Sequence, residues 1–410
     1  MQSLFAGVSG LRSHQRRMDV IGNNVANVNT VGFKAARATF QDVLYNTLRG
    51  AGAPQNNRGG TNPMQVGLGV QVGSIDTLFT SGNPQSTGVE TDLMIQGEGL
   101  FVVSDGERFY YTRAGNFYPD SDGTLVTPGG YKVMGWRADP QTGQIDTFAP
   151  IGELRIEKGS VIHARATTEV VLSGNLDPSQ GDSRTPARVI YDSLGNAHEI
   201  YFRFVPSGTP NVWNVTAYWN NPMSDPPDTP VGWVQVEFNE NGQFSSGGPL
   251  TANLNVGGGA TTPLSVTVDL SGLTQLAGET TVKIASQDGF PMGTLERFAF
   301  DSNGVITGYY SNGLRQVLGQ VALALFANPG GLERLGESLF IETPNSGAAQ
   351  IGAANTGGRG GILPSTLEMS NVDLAQEFTE MILTQRGYQA NSRVITTSDE
   401  MLQELVNLKR

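Results

Sequence analysis

Two proline-free segments at opposite ends of the chain carry apolar residues in alternating steps of three and four. This pairing most limits what the chain can fold into. At the start, Met1, Leu4, Val8, Leu11, Met18 and Val25 follow the rule, with Gln15 and Gly22 as weak members, and no proline occurs before Pro54. That spacing is an apolar helical seam. It predicts a helix from about 3 to 28, roughly 40 Å long at 1.5 Å per residue, with Asn27, Asn29 and Gly32 as stop signals. At the far end, Leu367, Leu374, Phe378, Met381, Tyr388, Ile395, Leu402 and Val406 repeat the pattern, interrupted by Gln385, Ser392 and Asp399. Ser370 followed by Asp373 reads as a capping box with the shorter Asp in place of Glu, opening a helix over about 371–407.

The two ends differ in charge. Residues 1–40 hold five basic side chains against one acidic, a net +4, while 366–410 hold four basic against seven acidic, a net −3. Opposite charge beside two apolar seams favours pairing, within a chain or between chains. Exposed pairs contribute only tenths of a kcal/mol, so apolar burial has to dominate. Two ordinary amphipathic helices packed on a globular core would show the same pattern.

Between the ends the periodicity is β. Glycine is abundant, 53 of 410, about 13% against a usual 7% or so. Leu100–Val103 and Phe109–Thr112 flank Asp105-Gly106, a hairpin signal, and Asp122-Gly123 and Gly129-Gly130 mark further turns. Val189–Tyr191 and Ile200–Phe204 surround Gly195-Asn196; Trp213–Trp219 and Trp233–Phe238 alternate about a proline cluster, Pro222–Pro230. Gly357–Gly361 reads as a flexible joint before the last helix. The expected fold is mainly β with long α-helical termini, the two helices paired in a coiled-coil-like pole and β domains nested between them. The expected divisions are 1–30 with 366–410 as a helical polymerisation domain, 31–69 as an extended linker, 70–149 with 285–365 as a first β domain, and 150–284 as an inserted outer β domain.

Composition removes several functions. The formal net charge is −12 with no basic cluster, which argues against nucleic-acid partners, because phosphate contacts need grouped Lys and Arg. There is no cysteine, so disulfides, thiolate catalysis and Cys-ligated zinc are excluded. No apolar run approaches the 18 or so residues of a membrane span. Met1–Leu11 lacks the basic and apolar regions of a cleavable leader. Catalytic signatures are missing too. His14, His163 and His198 stand alone, and His198-Glu199 lacks the second histidine of a zinc helix. Gly67–Gly73 does not fit a dinucleotide fingerprint. Asp120-Ser-Asp122-Gly123 begins like a calcium loop, but its glycine comes too early and no glutamate closes it. No cofactor, metal or catalytic residue is expected.

Two long stretches resemble a known family. Asn23-Asn24-Val-Ala-Asn27-Val-Asn29-Thr-Val-Gly32-Phe33-Lys34 is similar to the N-terminal signature of the axial proteins of the bacterial flagellar rod and hook. Leu367–Glu377, containing Ser370, Asn371, Val372 and Asp373, and Gln385-Arg386 through Asn391 resemble the C-terminal signature. Tyr310–Gly313, Leu318–Ala324, Phe326–Leu332, Tyr191–Asn196 and the ending Leu405–Arg410 resemble the hook branch. The resemblance implies a structural subunit without enzymatic activity. It implies a helical homopolymer lining an export channel, built through Leu4, Val8, Leu11, Met18, Val25, Leu374, Phe378, Met381, Tyr388, Ile395, Leu402 and Val406. The implied partners are the distal rod protein, the hook cap protein, the hook–filament junction protein and the flagellar type III export apparatus. The implied place is the extracellular hook, reached without signal cleavage. Some hooks are crosslinked through a cysteine, which this chain lacks. The runner-up is a distal rod subunit, for which residues 150–284 are the expected discriminator. A secreted β-rich enzyme or adhesin would need a polar constellation that no motif here supplies.

Overall fold

The computed structural model describes residues 2–54, 59–140, 142–220 and 228–407. Met1 of the first seam, Pro222, Pro226 and Pro227 of the proline cluster, and Lys409 and Arg410 of the charge count lie outside them.

Helix α1 spans Gln2–Ala26 and helix α2 Leu374–Asn407. The asparagines that end α1 act as caps. Asn27 Nδ2 donates to Asn23 O at 2.9 Å and Thr30 Oγ1 to Asn27 Oδ1 at 3.0 Å, giving last-turn carbonyls a partner. At α2, Asp373 Oδ1 accepts from Ala375 N at 2.9 Å and Gln376 N at 3.3 Å. Asp373 is therefore the N-cap itself. Ser370, expected to open the helix, lies one turn earlier and accepts only from Val372 N at 3.4 Å.

The helices run side by side in opposite directions. Arg17 Nη2 meets Glu380 Oε2 at 3.0 Å, and Asn24 Nδ2 meets Glu377 Oε1 at 2.9 Å. Further along, a Cβ on Gly7 would lie 3.2 Å from Ile395, one on Gly10 2.6 Å from Asn391, and one on Gly387 2.6 Å from His14. Small residues thus let the backbones approach. Ser9 and Ser13, on an adjoining side of α1, fix it to the β body: Val70 N donates to Ser9 Oγ at 3.2 Å, and Ser13 Oγ donates to Val70 O at 3.3 Å.

The chain forms two compact units, residues 1–156, 298–307 and 317–410, and residues 157–297 with 308–316. In the first, the hairpin Leu100–Ser104/Phe109–Thr112 joins Lys132–Arg137, which pairs on its other side with Gly319–Val321. Val102, Tyr111, Trp136, Ala324 and Phe340 share its core. The segment 31–69, read as an extended linker or irregular segment, contains three strands in antiparallel pairs. Ala36–Asp42 pairs with Val70–Thr77, and Tyr45–Arg49 with Met64–Gly67. Glycine and proline concentrate in 50–63, between the strands, so composition masked the pairing. Gly357–Gly361 is no loose joint either. Arg359 donates to Gln350 O and Thr356 O, and Gly361–Pro364 pairs with Leu93–Gln96.

In the second unit an antiparallel sheet built on Ala197–Pro206 and Val212–Asn220 faces a four-stranded sheet built on Glu169–Leu176 and Leu264–Gln275. Alternate residues such as Leu172, Phe202, Trp213 and Val266 fill the space between, each contributing roughly 1.5–3 kcal/mol by burial. The unit's edges fall at 157 and 297, and it regains 308–316; Gly152–Glu153 pairs instead with Lys132–Arg137 of the first unit.

One turn chemistry recurs. Asp120, Asp192, Asn239 and Asp301 each use Oδ1 to accept the backbone N–H groups two and four residues on. The glycine three residues on takes a positive φ of 73–86°, which suits a residue without Cβ. At Asp192 the carboxylate is fully buried and its Oδ2 lies 2.9 Å from Asn196 Nδ2 and 3.1 Å from His198 Nε2. Burial pushes this carboxyl up, but the hydrogen bonds of Asn196, His198 and Leu194 outweigh it and hold it below its ordinary 3.8. The unfolded chain therefore takes the proton first. The stabilisation is present above about pH 3.8 and is lost as pH falls through the lower folded value. We expect Asp192→Asn to cost about 1–3 kcal/mol at pH 7 and to flatten the acid limb below pH 3.8 or so. Thermal unfolding at pH 7 and pH 3 checks both; an unchanged melting temperature at pH 7 would rule out the buried carboxylate as the anchor.

Candidate functional site

The two motif segments meet at one buried side chain, Glu368. It is fully inaccessible, and Lys34 and Arg113 around it are 2% and 4% exposed. Lys34 Nζ lies 2.7 Å from Glu368 Oε1 and donates to Thr80 O at 2.8 Å. Arg113 Nε donates to Glu368 Oε2, while its Nη atoms reach the carbonyls of Gly99, Ile95 and Gly97 at 2.6–2.7 Å. Gly82 N adds a further bond to Oε1 at 2.7 Å, and Gly32 N donates to Glu368 O at 2.8 Å. Burial pushes the Lys34 ammonium down, opposed by the carboxylate beside it and reinforced by Arg113. Both glutamate oxygens, Lys34 and Arg113 are thus supplied with partners, as buried charge requires.

Two asparagines complete the clasp. Asn24 pairs with the backbone of Ala36, accepting from its N at 2.9 Å and donating to its O at 2.8 Å, and also reaches Glu377. Burial pushes the Glu377 carboxyl up. Asn371 accepts from Ala35 N at 2.7 Å and donates to Leu78 O and Thr80 Oγ1, both at 2.8 Å. Arg334 donates to Lys34 O and lies over the rings of Phe33 and Phe340 at 5.3 and 5.7 Å. N-terminal residues 24–34 and C-terminal residues 368–377 are held together by polar contacts that neither segment can make alone.

Of the motif residues, Asn24, Gly32, Phe33, Lys34, Asn371 and Asp373 enter the clasp or cap beside it, with Ser370 buried and Val372 half-buried nearby. Asn23, Asn29, Gln385 and Arg386 are exposed, and Asn27 belongs to the α1 cap. Among the seam residues, Leu4, Leu11, Met18, Val25, Met381 and Ile395 are half-buried; Val8, Leu374, Phe378, Tyr388, Leu402 and Val406 are exposed. Sequence reasoning missed Glu368 as the centre, together with Arg113 and Arg334. The available signal was a lone charge beside apolar residues, Leu367-Glu-Met369 and Tyr111-Thr-Arg113.

Family models match in four pieces: "Flagella basal body rod protein" over 4–34, "Flagellar hook protein FlgE/F/G D1 domain" over 94–168, "Flagellar basal body protein FlaE D2 domain" over 163–290 and "Flagellar basal body rod FlgEFG protein C-terminal" over 363–408. The first and last meet in the clasp. A fold of two terminal helices locked onto a β body, with this motif pair as the lock, is that of a flagellar axial protein. The flagellar hook protein of Borreliella burgdorferi is 44% identical over 440 residues and that of Treponema pallidum 42% over 463, each alignment covering all of both chains. The chain belongs to the flagellar hook protein family. A flagellar basal-body rod protein of Bacillus subtilis is also similar, 33% identical over all of both chains. The crystal structure of a Helicobacter pylori flagellar hook protein shares the fold, with a TM-score of 0.57 at 17% identity, covering 70% of this chain and all of that one.

Proposed function

We propose that this chain is the structural subunit of a flagellar hook, polymerising through its terminal helices into a short curved tube that passes torque from rod to filament. The carrying observation is the number of apolar side chains α2 leaves uncovered in a single chain, spread over more than half of its circumference: Leu374, Phe378, Ile382, Leu383, Met401 and Val406 are 40–70% exposed. A helix apolar over so much of its surface is normally covered by other surfaces. In the tube, seams of neighbouring copies cover each other in coiled-coil fashion, residues 1–30 and 366–410 surround the export channel, and unit 157–297 forms outer wall. The Glu368 clasp sets the direction in which both helices leave the β body. The distal rod, the hook cap, the hook–filament junction and the type III export apparatus are the partners, with export to the cell exterior requiring no signal cleavage and no step of catalysis.

The competing rod reading no longer turns on the inserted unit, since a rod-named relative aligns over its whole length. The hook reading is favoured by higher full-length identity, 44% and 42% against 33%. Negative-stain microscopy of cells lacking their own subunit tests it. The intact chain should restore curved hooks; a chain lacking residues 1–28, shown to be exported, should restore none. Straight rods from the intact chain would favour the rod reading. Normal hooks from the truncated chain would sink assembly through the helices.

A further inference from the structure

We infer that Phe148 is a knob that seats in a groove on a second copy of this chain, between the end of α1 and the hairpin Glu333–Gly336/Leu339–Ile341. The inference rests on the hook reading above. Phe148 is 99% exposed, more than any other large apolar side chain among the described residues. Its loop is nonetheless fixed on both sides. Phe148 N donates to Asp146 Oδ1 at 2.9 Å, and Trp136 Nε1 donates to Ala149 O at 2.9 Å. Ile145, Ala149 and Ile151 pack on the core of their unit. Local structure holds the ring outward and forgoes the roughly 1.5–3 kcal/mol its burial would yield. An ordered aromatic on a loop tip is the usual anchor of a protein interface.

The receiving groove lies in the same unit and encloses about 380 Å³, lined by Asn23, Asn27, Phe33, Arg334 and Phe340 among others. Its chemistry complements the knob. Arg334 lies over two rings, so the groove already holds a cation among aromatics. Its Nε is buried without an acceptor, and burial pushes the guanidinium's pKa down with no carboxylate opposing it. The knob brings a carboxylate, Asp146, two residues before the ring, with only Oδ1 engaged among the described residues. Aromatic meets aromatic, and the acid meets a guanidinium whose Nε lacks an acceptor, in a groove that Glu337 also lines. Knob and groove are different surfaces of one chain, so the contact can repeat head-to-tail from copy to copy, as the open filament of the hook reading requires.

The test uses the full chain polymerised on hook fragments. Phe148→Ser leaves the core untouched and should raise the critical concentration about tenfold or more. Because the chain has no cysteine, a Phe148→Cys/Asn23→Cys double variant should give a disulfide ladder on a non-reducing gel, and neither single variant should. Assembly of Phe148→Ser at the wild-type concentration would overturn the inference. Loss of assembly without a ladder would overturn this groove as the acceptor. Failure of the unaltered chain to polymerise would remove the hook reading itself, and the inference with it.

Discussion

Glu368→Ala is expected to destabilise the unit that carries both helices by about 3–5 kcal/mol, the usual cost of removing one partner from a buried ion pair. The variant leaves Lys34 and Arg113 facing each other in a site where neither is more than 4% exposed, and it strips Lys34 Nζ and Gly82 N of an acceptor. Since whole domains are stable by only about 5–15 kcal/mol, the ends should come loose first. Denaturant unfolding followed by tryptophan fluorescence reads the loss. Limited proteolysis should show new cleavage near residues 27–40 and 364–374. A second variant separates charge from packing. Lys34→Met combined with Glu368→Gln leaves Arg113 with its three carbonyl partners and keeps an oxygen for its Nε. It should recover part of the loss, because one buried cation is removed and the other keeps hydrogen-bond acceptors. If Glu368→Ala unfolds at the wild-type denaturant concentration, the cluster contributes nothing net. Equal losses in both variants would mean that shape and not charge holds the site. The cluster's use on this account is selectivity: only one register of the two chain ends satisfies all three charges, a hypothesis the double variant also tests through the sharpness of its unfolding transition.

How far the sequence revealed this site depends on the kind of contact. Local contacts were legible. The hairpin at Asp105-Gly106 forms with Ser104 opposite Phe109, and Asp120 begins a turn whose Oδ1 accepts the backbone N–H groups of Asp122 and Thr124. Both helices exist with ends within a few residues of those expected, since caps and apolar period act over one or two turns. The helix contact was less legible. A three-four seam search scores apolar side chains, whereas α1 and α2 approach through Gly7, Gly10 and Gly387, and absent side chains leave no signal in such a search. Half of the seam residues stay exposed for the same reason, because a single chain has one partner helix and each seam is wider than that contact. The clasp was legible only as a resemblance. Asn24 and Lys34 were singled out by motif, but their partners lie more than 300 residues away at Glu377 and Glu368, and no periodicity links residues so far apart. Arg113 carried a faint local sign, a charge continuing the strand Phe109–Thr112, that periodicity alone treats as a surface residue.

Gly32→Ala should cost about 2–5 kcal/mol and cancel assembly, although it adds a single methyl group. Gly32 has φ +67°, a conformation that costs other residues roughly 1–2 kcal/mol. A Cβ there would stand 2.5 Å from Ala114 N, 2.7 Å from Arg113 C and 2.8 Å from Ala114 Cα. All three atoms are backbone, so no side chain can swing aside, and overpacking of this kind adds about 1–3 kcal/mol. The displaced backbone belongs to Arg113, so the methyl also pulls on the guanidinium that holds Glu368. The change thus reaches the clasp without touching a charge. Gly22→Ala is the matched control: it lies within α1, and a Cβ there meets nothing within 4 Å. An interior helix glycine replaced by alanine should gain up to about 1 kcal/mol. Two glycines ten residues apart are therefore expected to respond with opposite sign. Melting temperatures of the two variants decide the matter, with hook formation in cells as a second readout. Loss in Gly32→Ala with gain in Gly22→Ala would tie assembly to the angle at which α1 enters the β body. Equal shifts in both would mean that the clasp accommodates an added methyl, and that the close approach at residue 32 does not control how the two ends are set.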